Sequence, residues 1–463
     1  MTIHSDWARL LHDECPDAFH ERIPEEVRFD VGVIDGHLQL MSLNANFRSW
    51  EQFLLAVFVR PIQRLFAAGA PVVVLCFDAY DQVPAYKSMT QLKRVARVAP
   101  PTGGVSFAAD EALPEEIPEG TMEYLMNRNF KLKVVQLALQ QVPRMLQSTL
   151  ASAPERRLLL DYRSTVEYSA STGMVPRRLD DLVPMGESDV KYVRYVERYG
   201  NALVHAVDGD YMAIALLYYA SGGVRDDNRI FVFRQRSTLG GGDAEAQADE
   251  EEDKKKRKRT LPSAKKRSGP PKCWVDMQLL FATIADCMRQ SASEPHHSSS
   301  NTDETTTMQT AVHAAVLLML CAGTDFSRPM PLLGPKRLWE HLPLVADALV
   351  HGTQPSAPLA LPLLCDSVVG AIYRSVFANH VPPHVPSRLA DVIDHLKQHS
   401  RLSELTRSRL PSEAQVRVTL QNVGWVMEYW TAINRTVPAP LDGSHGFVRC
   451  PTSQRITFAD RCS

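Results

Sequence analysis

Four short apolar runs, each closing on an acid, constrain this chain more than any other feature of its sequence. They are Phe29 to Ile34, Pro71 to Phe77, Arg157 to Leu160 and Ala202 to Val207. None shows the polar alternation of a strand with one wet face, so each is expected to be a parallel strand buried on both sides. The acids that follow them are Asp35, Asp78, Asp161 and the pair Asp208 and Asp210. Ligands of open α/β sheets bind beyond the carboxyl ends of the strands, so these acids are expected to gather along one edge.

Between the runs lie segments such as Trp50 to Ala67 and Phe130 to Leu146, whose apolar residues recur every three or four positions. That is the pattern of helices covering a sheet, and the expected class is doubly wound α/β. Residues 95–122 are rich in Pro, Gly and acids and read as an irregular excursion. Residues 238–271 and 291–306 are low in complexity and are expected to be disordered. Beyond 345 the chain is expected to be mainly helical, with Pro-rich punctuation, and the aromatic stretch from Gly424 to Trp430 reads as core rather than as a base-stacking surface.

Hydrophobic residues at 44% and charged residues at 22% fit a globular protein. The longest apolar stretch, Ala311 to Gly323, is shorter than the roughly 20 residues that cross a bilayer, so no membrane partner is expected. Acids among the first thirty residues fit neither a secretory nor a transit peptide. The eight cysteines form no CxxC pair and no zinc pattern, which favours reduced thiols in an intracellular compartment. A net charge of -2 excludes nucleic-acid binding by bulk positive charge and requires local patches. The basic run 254–267 is such a patch; its two clusters favour nuclear import over a DNA contact or a solvated linker, with the cytoplasm as the other location.

Two divalent cations about 4 Å apart can hold a scissile phosphate, activate water and stabilise a leaving oxygen. Mg²⁺ takes oxygen ligands, so such a centre is lined by Asp and Glu rather than by His and Cys. The candidates here are Asp35, Asp78, Glu187, Asp189, Asp208, Asp210 and Asp325. Singly, each has a bland explanation. Asp189 could cap the helix that runs to Tyr199, and Asp208-Gly209-Asp210 could be a plain turn.

Taken in order, these blocks resemble the XPG/flap endonuclease family of structure-specific 5' nucleases. The segments that carry the resemblance are Asp6 to Phe19 with the strand ending at Asp35; Phe77-Asp78 with Pro84, Lys87, Lys93 and Arg94; Gly186-Glu187-Ser188-Asp189; Val207-Asp208-Gly209-Asp210; and Leu317 to Phe326 followed by Leu333-Gly334-Pro335-Lys336. They span residues 6 to 345. The Gly-Pro-Lys loop discriminates most, because related 5'-3' exoribonucleases have a similar acid set without that mark.

The resemblance implies a PIN-like, mostly parallel central sheet with helices on both faces, a helical arch or cap, a helix-two-turn-helix and a mainly helical C-terminal tail. It divides the chain into nuclease regions at 1–94 and 157–237, an arch excursion with its helix at 95–156, a basic insert at 238–271, buried helices with the helix-two-turn-helix at 272–345, and an extension at 346–463. It implies two Mg²⁺ ions, replaceable by Mn²⁺, held by the seven acids; Lys87 and Arg94 as electrostatic catalysts; and Gly334, Pro335 and Lys336 on duplex DNA with a K⁺ ion. The expected substrate is flap, nicked, gapped or otherwise branched DNA, cut by a monomer in replication, repair or recombination. A 5'-3' exoribonuclease and a non-catalytic DNA-binding relative are the alternatives. The chain departs from the family pattern in its first residues, Met1 to Ser5, and in an acidic arch segment holding Asp110, Glu111, Glu115, Glu116 and Glu119. It also lacks a sliding-clamp motif near Gln454 to Phe458.

Overall fold

A computed structural model describes residues 5–41, 47–79, 107–182, 186–206, 208–222, 228–235, 272–291, 304–323, 329–352, 368–399, 401–431, 447–449 and 456–458. Lys87, Arg94, Asp325 and the basic run 254–267 lie outside the described residues.

All four apolar runs are strands: β2 (Val31–Asp35), β3 (Val72–Cys76), β4 (Arg157–Asp161) and β7 (Ala202–His205). Five more complete the sheet, namely β1 (Phe19–His20), β5 (Thr165–Ser169), β6 (Arg177–Arg178), β8 (Ile230–Gln235) and β9 (Lys272–Asp276). The order is β1-β9-β8-β7-β2-β3-β4-β5-β6. Strands β8, β7, β2, β3 and β4 run parallel, whereas β4-β5, β5-β6, β8-β9 and β9-β1 pair antiparallel. The sheet is therefore parallel over its five central strands and mixed as a whole, as an α/β class requires. Its edges reverse because a short connection such as 162–164 can join only antiparallel neighbours.

Both faces of the centre are covered. Val31, Val33, Val72, Val74 and Cys76 belong to one core cluster, while Ile34, Val73, Leu75, Leu158 and Leu160 belong to the other. Each fully buried Val, Leu or Ile stabilises by roughly 1.5–3 kcal/mol. The whole span of β-propensity is only about 1 kcal/mol, so two-sided burial decides where these strands form. The second core lies under the helices Arg60–Ala67 and Arg128–Met145. Trp50 to Ala67 is one helical run, but Leu55–Val59 forms wide π turns. Pro61 has no amide hydrogen to give Val57, which disfavours the regular ladder there.

The first core is built around the helices Ser188–Tyr199, Asp210–Ala220 and Glu304–Cys321. It continues into the tail, where Trp425 and Trp430 are each 1% exposed on the helix Glu413–Thr431. These aromatic residues are core. Among the described residues no helix is long and apolar enough to cross a membrane.

Candidate active site

The register brings β2, β3 and β4 to a level end, since Asp35 lies opposite Cys76 and Cys76 opposite Asp161. Asp78 follows two residues beyond Cys76. A helix, Gly36–Met41, starts directly after Asp35. Residue 36 is glycine at a close approach: a Cβ there would lie 2.4 Å from the Phe77 ring and force it to shift. The close approach carries His37 over the next strand, where its Nδ1 accepts the backbone amide of Asp78 at 2.9 Å.

Asp78 is also bound from the opposite side. Its Oδ1 accepts the Ser188 amide at 2.8 Å and the Ser188 hydroxyl at 2.9 Å. The Ala79 amide donates to the Gly186 carbonyl at 2.7 Å. The first amides of a helix have no partner within it, and Asp78 supplies one from a separate strand. Thus Asp189 does not cap this helix: Glu187 occupies the cap position and Asp189 sits within the first turn. Glu187 and Asp189 are both buried.

Asp35 accepts the Leu38 amide at 3.0 Å and the Tyr211 hydroxyl at 3.0 Å. Burial, then the neighbouring Asp78 carboxylate, push Asp35 up to about 7; the two hydrogen bonds pull the other way, and Asp189 adds to the rise. Asp35, Asp78 and Asp189 therefore form one electrostatic group. Tyr211 links it to the helix Asp210–Ala220, and the Tyr192 hydroxyl donates to the Tyr211 carbonyl at 2.8 Å. Asp210 is buried at the start of that helix, and its amide donates to Asp208 Oδ1 at 3.2 Å. Asp208 is half-buried and lies on the side of Arg234 in β8. The turn at 208–210 is thus a local helix start as well as a source of two acids.

Asp161 ends a strand just as Asp35 does, yet it belongs to a different network. It pairs with Lys191 at 3.1 Å and with Arg194, and accepts the Tyr195 hydroxyl at 2.7 Å. Burial would raise its carboxyl, but Lys191 and Arg194 outweigh that and hold it below the usual range. Cys76 lies between the two groups. Its thiol is pushed well up, first by burial and then by Asp161, with Lys191 and Arg194 opposing.

One further cation faces the site. Lys131, half-buried on the helix Arg128–Met145, is pushed down by burial, while Asp78 acts to raise it. Neither Lys131 nor the partners His37, Ser188 and Tyr211 is evident from sequence alone. The available signal was polar residues interrupting otherwise apolar helix faces.

The groups that act on one another here, Asp35, Asp78 and Asp189, are all carboxylates, the donor type a hard cation such as Mg²⁺ takes. Among the described residues no three His, Cys, Asp or Glu side chains close into a metal cage. No protein-family model and no curated protein matches this chain.

The Gly334-Pro335-Lys336 turn lies elsewhere on the first core. Gly334 is extended and Pro335 opens the helix Pro335–Trp339, followed by Leu342–Gly352. Lys336 and Arg337 are exposed. Leu332 just before the turn has φ of 64°, a conformation a branched side chain rarely adopts. The Tyr373 hydroxyl donates to the Pro331 carbonyl at 2.7 Å, and Trp7 meets Trp339 edge to face at 6.2 Å. A residue from the first helix and one from well beyond the turn thereby brace it.

Proposed function

We propose that this chain is a Mg²⁺-dependent 5' nuclease that hydrolyses phosphodiester bonds in flap, nicked, gapped or otherwise branched DNA. The observation that supports this reading is that Asp78 and Asp189, from two other elements, act electrostatically on the buried Asp35 at the level end of β2 and β3, where its carboxyl is pushed up to about 7. Gathering like charges where water is scarce costs stability, and folds retain such groups mainly at functional sites.

In this reading Asp35, Asp78, Glu187, Asp189, Asp208, Asp210 and Asp325 hold the ions. Bound divalent ions supply an activated water and neutralise charge on the leaving oxygen. The chain's own residues do the rest. Ser188 and Tyr211 orient the carboxylates of Asp78 and Asp35, His37 holds the backbone amide of Asp78, and Lys131 near Asp78 offers positive charge to the scissile phosphate. Lys87 and Arg94 are proposed for the same electrostatic role. Gly334, Pro335 and Lys336 are proposed to grip the phosphates of duplex DNA without reading sequence, with K⁺ at that turn.

The test is a panel of 5'-labelled flap, nicked, gapped, bubble and single-stranded RNA substrates with Mg²⁺, comparing wild type with Asp78→Ala and Asp208→Ala. Cleavage of branched DNA by wild type, lost in both variants, is the expected result. Degradation of RNA alone would point to an exoribonuclease, and binding without cleavage to a non-catalytic relative. Near-wild-type cutting by the variants would overturn the site.

A further inference from the structure

The ammonium of Lys191 is wholly buried, a placement that costs several kcal/mol unless the surroundings offset it. It donates to the carbonyls of Phe77 and Tyr162, both at 2.7 Å, and lies 3.1 Å from Asp161 Oδ1. The Phe77 carbonyl belongs to the same planar peptide unit as the Asp78 amide. That amide donates to His37 at 2.9 Å, so one rigid plane is held at its oxygen by Lys191 and at its nitrogen by His37. Lys191 also stands two residues after Asp189 on the helix whose first residue, Ser188, binds the Asp78 carboxylate.

From this geometry we infer that Lys191 is a positioning residue for Asp78, fixing the direction of its carboxylate and its spacing from Asp189 before any cation binds. The inference rests on the metal-centre reading above. A purely structural tie between β3 and β4 would not need a cation, because Phe77 already donates its amide to the Asp161 carbonyl at 2.8 Å. Nor is Lys191 needed to neutralise Asp161, which Arg194 and the Tyr195 hydroxyl already engage. Lys191 also brings a positive charge beside the Phe77–Asp78 peptide, where it opposes the repulsion among Asp35, Asp78 and Asp189.

Calorimetric titration of the full chain with Mn²⁺ tests the inference, with thermal unfolding recorded for each variant. Lys191→Met should fold, since Asp161 keeps Arg194. It should bind Mn²⁺ about tenfold or more weakly, as expected when an outer-shell partner of a ligand is lost. Its turnover on labelled DNA should fall at saturating metal while KM for DNA stays unchanged. Asp78→Asn should abolish the same binding. His37→Leu releases the other end of the peptide plane, so its effect on Mn²⁺ affinity should couple to that of Lys191→Met in a double-mutant cycle.

Lower melting temperature with unchanged Mn²⁺ affinity in Lys191→Met would make the residue merely structural and overturn the inference alone. Additive effects in the cycle would do the same. Should Lys191→Met fail to fold, unchanged Mn²⁺ affinity in His37→Leu overturns it. Wild-type protein that binds no Mn²⁺ overturns the metal-centre reading, and this inference with it.

Discussion

Ser188 gives both its backbone amide and its hydroxyl to one oxygen of Asp78, at 2.8 and 2.9 Å, across 110 residues of chain. A side chain at the end of one strand thereby caps a helix formed much later in the sequence. Ser188→Ala keeps the amide and removes the hydroxyl. Hydrogen bonds to charged groups contribute about 1.5–3 kcal/mol, so the variant should lose stability of that order in urea unfolding at pH 8 without divalent ions.

Asp35→Asn should gain stability while losing activity. Its carboxyl is raised from 3.8 to about 7, so the folded chain holds the proton more tightly than the unfolded chain does. That contribution is complete below about pH 4 and is lost as the pH rises through about 7. At pH 8 wild type bears the full penalty, and asparagine, which cannot ionise, does not. The rise sets a ceiling of about 4 kcal/mol at about 1.4 kcal/mol per tenfold change in proton affinity, and the weaker hydrogen bonds that Leu38 and Tyr211 make to a neutral amide bring the expected gain down to about 1–3 kcal/mol. Unfolding measured from pH 4 to 8 should show a decline in wild type that the variant lacks.

Asp161→Asn should have the opposite sign. Lys191 and Arg194 hold this carboxyl below its ordinary value, so its contribution is present at neutral pH and is lost as the pH falls below about 4. Removing the charge takes the Asp161 carboxylate away from two buried cations, a change that costs about 3–5 kcal/mol. Thermal unfolding at pH 7 should show a large loss, and the variant's acid limb should be flatter than that of wild type.

Lys131→Met separates charge at the site from support of the fold. Burial already disfavours this ammonium, so a similarly long neutral side chain should leave the melting temperature nearly unchanged. If Lys131 meets charge that develops on the phosphate, kcat should fall about 10²- to 10³-fold with little change in KM. Single-turnover cleavage of a labelled substrate at saturating Mg²⁺ measures this directly.

The strands at the centre of the sheet were legible because β2, β3, β4 and β7 are buried on both faces and carry unbroken apolar runs. The edge strands were not. Thr165–Ser169 alternates buried and half-buried residues, and β1 and β6 are only two residues long. The acids were legible as residues but not as roles. Asp35 and Asp161 each close an apolar run, yet one joins the other acids and the other is neutralised by Lys191 and Arg194 on a distant helix. Pairings 30 residues apart leave no mark in local spacing. The available hint was two cations, Lys191 and Arg194, three residues apart on the buried face of an amphipathic helix.

The pairing of Gln235 with Lys272 joins the last residue of β8 to the first of β9. Residues 235 and 272, far apart in the chain, are therefore neighbours on one ladder rung. Closing a connection costs free energy only with the logarithm of its length, so a change of length at this junction should weigh little on the strands that end in the acids. Segments can be gained, trimmed or exchanged there, and a reporter domain grafted at this rung should leave the acids where they are.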